Sequence, residues 1–362
     1  MSLKPSLYGL TLEELKSYCV QHHFKPFVAK QVFSWLYQRY ASSFEGMHNL
    51  PKSFRQQAMQ DFNLGTLEVV AHECSADQSQ KYLFKTPDDH TFESVFMVMK
   101  DKQFNGEGQL IAQEKLTFCL SCQIGCKVGC VFCATAKGGF VRDLLAAEIV
   151  QQVVYLKCDH HLEPTKGINL VFMGMGEPLH NFNEVVRAIR ILSDPAGLNI
   201  APRRITISTS GVAPLIDALG ALNLGVQLAI SLHAVNDVLR SKLMPINKTY
   251  NIQALIDAIR RFPLDTRKRI MFEYLVLKDH NDGLEHARAL LKLLNGLRAK
   301  VNLIPYNPMP NSPFARPNLE KVQAFADFLN QKGLLCTIRI SKGLDISAAC
   351  GQLREKRLKA RG

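Results

Sequence analysis

The sequence predicts an α/β protein: a partial, TIM-like (βα)6 barrel with a small N-terminal helical domain and a short β extension. Three observations predict it. Apolar runs of strand length at 116–120, 168–173, 205–208, 226–232, 270–277 and 301–304 alternate with helical stretches at 144–156, 184–192, 213–222, 252–261 and 284–294. Such alternation with right-handed crossovers gives a parallel sheet covered by helices, and six units stop short of the eight that close a barrel. Short polar residues follow several of these strands, where barrel enzymes place their sites. Finally, 362 residues with 47% apolar content suffice for one large domain and a small one.

Residues 1–63 read as a helical accessory domain. Thr11 followed by Glu14 is a capping pattern. Val32, Phe33, Leu36 and Tyr37 fall at helical spacing, and Pro51 opens a further short helix through Phe54 and Met59. Basic residues dot the polar faces, so the domain either binds RNA or caps the barrel. Residues 64–113 read as a linker with short strands at 67–70, 81–84 and 92–97, a turn at 87–90, and a polar exposed loop at 100–113. The barrel spans 114–353 and ends with a helix at 319–329 and a strand at 335–340. A basic tail, 354–362, follows.

The net charge of +12 points to a polyanionic partner, most often nucleic acid, with a merely solvated basic surface as the alternative. Arg203, Arg204, Arg260, Arg261, Arg267, Lys268, Arg269 and the tail are the candidate contacts. No run reaches 18 apolar residues, and the first 15 residues lack an apolar signal core. A cytoplasmic monomer without membrane association is expected. Five of the ten cysteines lie between Cys119 and Cys133, which fits a reducing compartment better than a disulfide framework. Cys19, Cys74, Cys158 and Cys336 read as packing residues.

Cys126, Cys130 and Cys133 form a C-x3-C-x2-C loop after the first barrel strand. Cubane iron–sulfur clusters usually take four cysteines, so three leave one iron open, as a catalytic site requires. A zinc loop or three unrelated thiols are the alternatives; zinc loops usually pair C-x2-C with a second such pair, and the sequence has none. Gly176 and Glu177 follow the second strand, Ser208 ends the third, Ser231, Leu232 and His233 end the fourth, and Asn307 follows the sixth. Singly, such a serine is more often a helix cap and such a histidine a satisfied polar residue. Together they read as a cofactor site. Cys119 ends the first strand and Cys350 lies near the carboxyl terminus; taken alone, each reads more readily as a structural thiol than a catalytic one.

These residues and their surroundings resemble the RlmN/Cfr family of radical S-adenosylmethionine (SAM) methyl synthases. The resemblance rests on Cys119, CKVGCVFCATAKGGF at 126–140, FMGMGEP at 172–178, RRITISTSG at 203–211, SLH at 231–233, NLIPYNP at 302–308 and ACGQL at 349–353. It runs from about residue 10 to 353. It implies a 4Fe–4S cluster on Cys126, Cys130 and Cys133, and SAM contacts from Gly176, Glu177, Ser208, Ser231, Leu232, His233 and Asn307. It also implies two SAM molecules per turnover. One methylates Cys350; the other yields a 5′-deoxyadenosyl radical that takes hydrogen from that methyl group. The carbon radical then adds to C2 of an adenosine, an electron-poor carbon between two ring nitrogens. Glu93 is implied as acceptor of the C2 proton. Cys119 then attacks Cys350, releasing methylated RNA and a disulfide that external thiols reduce. Met173 matches a methionine near the reacting cysteines, or is a strand-end core residue.

The implied substrates are 23S rRNA and tRNA, and the implied electron donor is a flavodoxin or ferredoxin. The target base must leave its stack, which favours free or early-assembly rRNA. The C8-methylating branch of the family is the alternative; AKGGF at 136–140, Glu177-Pro178 and Ser210-Gly211 favour the C2 branch. A non-catalytic iron–sulfur RNA-binding protein is the alternative of another class. Two departures from the family pattern stand out: Cys122 replaces the usual serine, where a bystander role is expected, and the stretch 100–113 is longer than usual.

Overall fold

The computed structural model describes residues 4–65, 67–104, 109–265, 268–309 and 312–353. Arg267 and the basic tail lie outside them.

Helices α1 (Leu12–Gln21), α2 (Phe27–Tyr37) and α3 (Lys52–Asp61) form the N-terminal domain. The predicted cap is present: Glu14 donates its amide to Thr11 Oγ1 at 3.3 Å, and its carboxylate accepts from the Thr11 amide at 2.8 Å. Leu15, Cys19, Val32, Phe33, Tyr37 and Phe54 are wholly buried between the helices.

The strands that follow are β1 (Glu68–Cys74), β2 (Gln80–Lys85), β3 (Thr91–Lys100), β4 (Gln103–Phe104), β5 (Leu110–Ala112) and β6 (Lys115–Cys119). Next come β7 (Gln123–Gly125), α4 (Ala134–Lys137), β8 (Phe140–Asp143) and α5 (Ala146–Asp159). The repeating part continues with β9 (Asn169–Phe172), α6 (Phe182–Ser193), β10 (Ile205–Thr209), α7 (Ala213–Ala221), β11 (Gln227–Ser231), α8 (Asp237–Leu243) and α9 (Ile252–Arg261). It ends with β12 (Ile270–Val276), α10 (Leu284–Leu293), β13 (Ala299–Pro305), α11 (Leu319–Gln331) and β14 (Cys336–Ile338). Each expected barrel element is present to within a few residues.

One sheet runs in the order β1-β2-β3-β6-β9-β10-β11-β12-β13-β14. It is parallel from β6 onward and antiparallel across β1, β2 and β3. The strands expected in a linker are therefore part of the barrel sheet. The link is β3: its Thr91 to Met97 are all buried, as in an interior strand of the sheet, and it hydrogen-bonds β2 on one edge and β6 on the other. Part of the stretch expected as a loop at 100–113 is the hairpin β4·β5.

Among the described residues no pairing joins the edge strands β1 and β14, so the barrel stays open between them. The helical domain docks on the outer helices: Arg187 of α6 donates to Gly9 O at 2.7 Å and pairs with Glu14 at 2.5 Å.

Candidate active site

The cluster loop is held between a ribbon and a helix. β7 and β8 pair as a two-stranded ribbon that brings Gly125 against Gly139, so the Cys126 amide donates to Gly139 O at 2.8 Å. A Cβ on Gly125 would lie 1.9 Å from Gly139 O, and its φ is +75°, so only glycine fits. Arg142 fixes the ribbon, pairing with both Asp88 and the buried Glu148 at 2.7 Å. On the other side the Val131 amide donates to Leu243 O at 3.0 Å.

Cys126, Cys130 and Cys133 line one wall of a cavity at the carboxyl ends of the strands. The cavity encloses about 840 Å³ of empty space open to solvent. Gly176, Glu177, Ser208, Ser231 and His233 line the facing walls. Three thiols on one wall suit a cubane, in which each ligand takes a different iron. The remaining walls fit a small polar cofactor: Ser210 Oγ is buried there without a hydrogen-bond partner. Gly176 has φ +106°, and a Cβ on it would fall 2.6 Å from the Gln123 side chain.

The predicted cofactor residues divide by role. The Glu177 carboxylate accepts from the Ser210 amide at 2.7 Å and the Leu179 amide at 3.0 Å, so it joins the loops after β9 and β10. His233 Nδ1 accepts from the Leu275 amide at 3.0 Å, which leaves Nε2 as the protonated nitrogen of the neutral ring. Burial, with help from Arg240, presses its pKa down to about 3. Phe132 of the cluster loop packs edge-on against that ring, 5.0 Å between centroids. Leu232 is fully buried and absent from the residues lining this cavity; its amide donates to Glu273 O at 3.0 Å and its carbonyl accepts from Arg240 at 3.1 Å. Asn307 is absent from the residues lining this cavity; its Nδ2 donates to Ser341 Oγ at 2.8 Å, at the start of the segment that carries Cys350.

Cys119 and Cys350 meet. Both line a smaller cavity, together with Met97, Met99, Met173 and Arg339. Met173, Arg339, Cys350 and Leu353 line both cavities, so Cys350 stands on the boundary between the cluster loop and Cys119. Burial pushes the Cys119 thiol up to about 12, and Cys350 adds to that shift while Arg339 opposes it. The Cys350 thiol is also raised by burial and drawn back by Arg339. As a residue Cys350 is exposed, yet protein atoms crowd its thiol; a side chain on the wall of an open cavity has both properties. All ten cysteines are free thiols.

The Cys350 segment bridges the open side of the barrel. Asp345 accepts from Ser75 Oγ at 2.5 Å and the Ala76 amide at 3.1 Å, and the Gly343 amide donates to Asp77 at 2.8 Å. At its far end Gly351 O accepts from the Ala134 amide and Leu353 O from Thr135 Oγ1, each at 2.7 Å. The β1–β2 turn and α4 thus hold the two ends of the Cys350 loop.

Glu93 lies beside this site and is absent from the residues lining either cavity. Val95 pairs with Cys119 across β3 and β6. Glu93, two residues before Val95, shares that face as a diagonal neighbour of Cys119, roughly 7–8 Å away. Its carboxylate pairs with Lys81 at 3.4 Å.

Two arginines that no spacing singles out belong to the site. Arg240 has no exposed surface and donates to Ser210 O at 2.6 Å, Leu232 O at 3.1 Å, Ser231 O at 3.1 Å and Asn247 Oδ1 at 2.9 Å. It ties together the loops after β10 and β11. Arg339 Nη1 donates to Met173 Sδ at 3.4 Å. Burial lowers the Arg339 pKa, but Glu273, Cys350 and Cys119 outweigh that and raise it.

Several sequence expectations are corrected. Cys74 and Cys158 are exposed and do not pack, whereas Cys19 and Cys336 are buried. Arg203 and Arg204 precede β10, Arg260 and Arg261 end α9, and Lys268 and Arg269 precede β12. All stand at the amino ends of the strands, opposite the cavity. Arg261 pairs there with Asp217 at 2.8 Å, and Lys268 donates to Gly225 O at 3.0 Å. Cations at the cavity end include Lys342, on the smaller cavity, and Lys127, 4.8 Å above the half-exposed Phe140 ring. Cys122 is buried, its amide donating to Met175 O at 2.9 Å.

Comparison with known proteins places the chain among relatives over nearly its whole length. Residues 120–293 match the model of the radical SAM superfamily, and residues 6–63 match that of the ribosomal RNA large subunit methyltransferase N-terminal domain. The dual-specificity RNA methyltransferase RlmN of Wolinella succinogenes is 57% identical, covering 98% of each chain. That of Helicobacter pylori is 56% identical over 98% of this chain and 99% of its own. A crystallised radical SAM methyltransferase from Sphaerobacter thermophilus is 42% identical, with a TM-score of 0.86 over 97% of this chain and 99% of that one.

Proposed function

Because the chain belongs to the RlmN family of radical SAM RNA methyltransferases, we propose that Cys350 and Cys119 work as a pair to methylate C2 of adenosine in 23S rRNA and in tRNA. The observation that carries this reading is Cys350 on the wall shared by the cluster-loop cavity and the Cys119 cavity. When bound, a 4Fe–4S cluster with SAM supplies the methyl group and a 5′-deoxyadenosyl radical. Cys126, Cys130 and Cys133 would hold that cluster, while Gly176, Glu177, Ser208, Ser231 and His233 would form the SAM wall, with Leu232 buried between Ser231 and His233. Asn307 contributes by holding the Cys350 segment through Ser341.

Cys350 accepts the methyl group on sulfur; that carbon would give up one hydrogen atom to the 5′-deoxyadenosyl radical and add to C2, and the resulting adduct radical would pass one electron back to the cluster. From the closed-shell adduct, Glu93 accepts the C2 proton: the C–H bond breaks, its electron pair stays with the purine, and an O–H bond forms. Cys119 then attacks the Cys350 sulfur. The S–S bond forms as the S–CH2 bond breaks, and the carbon leaves with the pair and takes a proton to become the methyl group. An external dithiol returns two electrons to the disulfide.

The preference for C2 over C8 rests on the 136–140, 177–178 and 210–211 motifs. RNA is read by the N-terminal domain, in keeping with the rRNA methyltransferase domain it matches, and by the cations of the cavity end. A cytoplasmic monomer fed by a flavodoxin or ferredoxin completes the reading.

Mass spectrometry of nucleosides tests it, after anaerobic reaction of the reconstituted protein with SAM, reductant and an rRNA fragment. 2-Methyladenosine, lost in Cys350→Ala, is expected. 8-Methyladenosine would move the chain to the other branch. SAM cleavage without methylated adenosine would refute the RNA reading.

A further inference from the structure

We propose that Lys81 is a positioning residue for the reaction, holding the Glu93 carboxylate in register with the Cys350 loop. The inference rests on the functional reading above, in which Glu93 accepts the C2 proton.

Lys81 sits on β2, where it pairs with Glu73 of β1 and Val95 of β3; Val95 in turn pairs with Cys119. Residues in register across a sheet share a face, so this row puts the lysine on the face that carries Cys119. Its side chain is only 10% exposed. The ammonium lies 3.4 Å from Glu93 Oε1, 3.4 Å from Glu73 Oε2 and 2.6 Å from Ile346 O. Ile346 belongs to the loop that ends in Cys350. One buried cation therefore touches both the strand with the proton acceptor and the segment with the reacting thiol. Burying an ammonium is costly unless it is paired and hydrogen-bonded, and this one meets two carboxylates and a carbonyl.

The geometry separates the effect on Glu93 from the effect on the loop. The loop keeps its ties through Asp345, Gly343, Gly351 and Leu353 when Lys81 is removed. Glu93 instead loses the ammonium that ties its carboxylate to the Cys350 segment through Ile346. Loss of Lys81 should spare the steps before proton removal and impair that step. The test uses full-length, cluster-loaded wild type, Lys81→Met and Lys81→Arg. Three quantities are followed: methyl on the Cys350 peptide, covalent protein–RNA adduct on denaturing gels, and methylated nucleoside.

Lys81→Met should methylate Cys350 as wild type does, which also shows that it is folded. Its adduct should persist while product formation falls about 10- to 100-fold, the scale of a misplaced reacting group. Lys81→Arg should recover most of the product. Wild-type turnover in Lys81→Met would overturn the inference, as would a parallel loss of Cys350 methylation and product, which marks a purely structural role. Absence of methyl-Cys350 in wild type would refute the functional reading itself, and this inference with it.

Discussion

Replacing Arg240 with methionine tests whether the cofactor wall depends on one buried cation. The guanidinium is wholly enclosed and donates to three backbone carbonyls and one amide oxygen. Methionine fills similar space without a donor. Each acceptor left buried and unpaired costs about 1–3 kcal/mol, so the four together lose about 4–12 kcal/mol. Part of that is offset, because the native state also bears the cost of burying the guanidinium. That cost is visible in its pKa, lowered to about 10 chiefly by burial. Such a depression corresponds to about 3 kcal/mol.

The net destabilisation is then about 4 kcal/mol, nearer the lower end because the loops can relax toward water. For 362 residues, at about 2.1 cal/mol/K per residue, this lowers Tm by about 5 °C. The damage should concentrate on the loops bearing Ser210, Ser231 and Leu232. SAM affinity, measured by equilibrium dialysis on cluster-loaded protein, should fall more than the change in Tm alone would suggest. A Tm within about 1 °C of wild type together with unchanged SAM affinity would refute the idea that this arginine organises the wall.

Other expectations follow from individual side chains. Gly176→Ala forces a Cβ into the Gln123 side chain at positive φ, so SAM binding should be lost in dialysis while the far-UV spectrum stays native. His233, neutral in the fold with a pKa pressed down to about 3, contributes stability that is complete above its unfolded value of 6.5 and is lost as pH falls from 6.5 toward 3. The loss is at most about 5 kcal/mol, and urea melts of His233→Gln should show a flatter acid limb over that window. Lys157 has no exposed surface, and its ammonium donates to Glu163 O, Pro164 O and Lys166 O at 3.1, 2.8 and 3.0 Å. Lys157→Met should therefore destabilise by about 2–4 kcal/mol in urea melts. Charge reversal at Lys127 or Lys342 should weaken RNA binding and reduce the salt slope by about 0.7–0.9 for each phosphate no longer neutralised; the same change at Arg261, on the opposite end, should do neither.

What was legible in the chain alone has a local origin. Strand–helix alternation is written by backbone hydrogen bonding and side-chain periodicity, so the barrel elements could be placed to within a few residues. The three cluster thiols lie within eight residues of one another, and a spacing that short carries its own chemistry. The strand-end serines and His233 follow from the rule that parallel barrels gather function at one end.

Tertiary structure alone decided where distant residues meet. Cys119 and Cys350 come together because the segment after β14 crosses the gap to the β1–β2 turn, a path no local pattern encodes. Strands β1, β2 and β3 join the barrel sheet because β3 finds its edge partner in β6, a pairing set by which strands meet in space. Arg240, Arg339 and Lys81 look like any surface cation in sequence; burial with long-range acceptors is what makes them organise the site. Arg203, Arg204, Arg260 and Arg261 fall at the opposite end for the converse reason. Charge can be counted in a sequence, but the end of the barrel it occupies is set by whether a residue enters or leaves a strand, and by which partners it finds there.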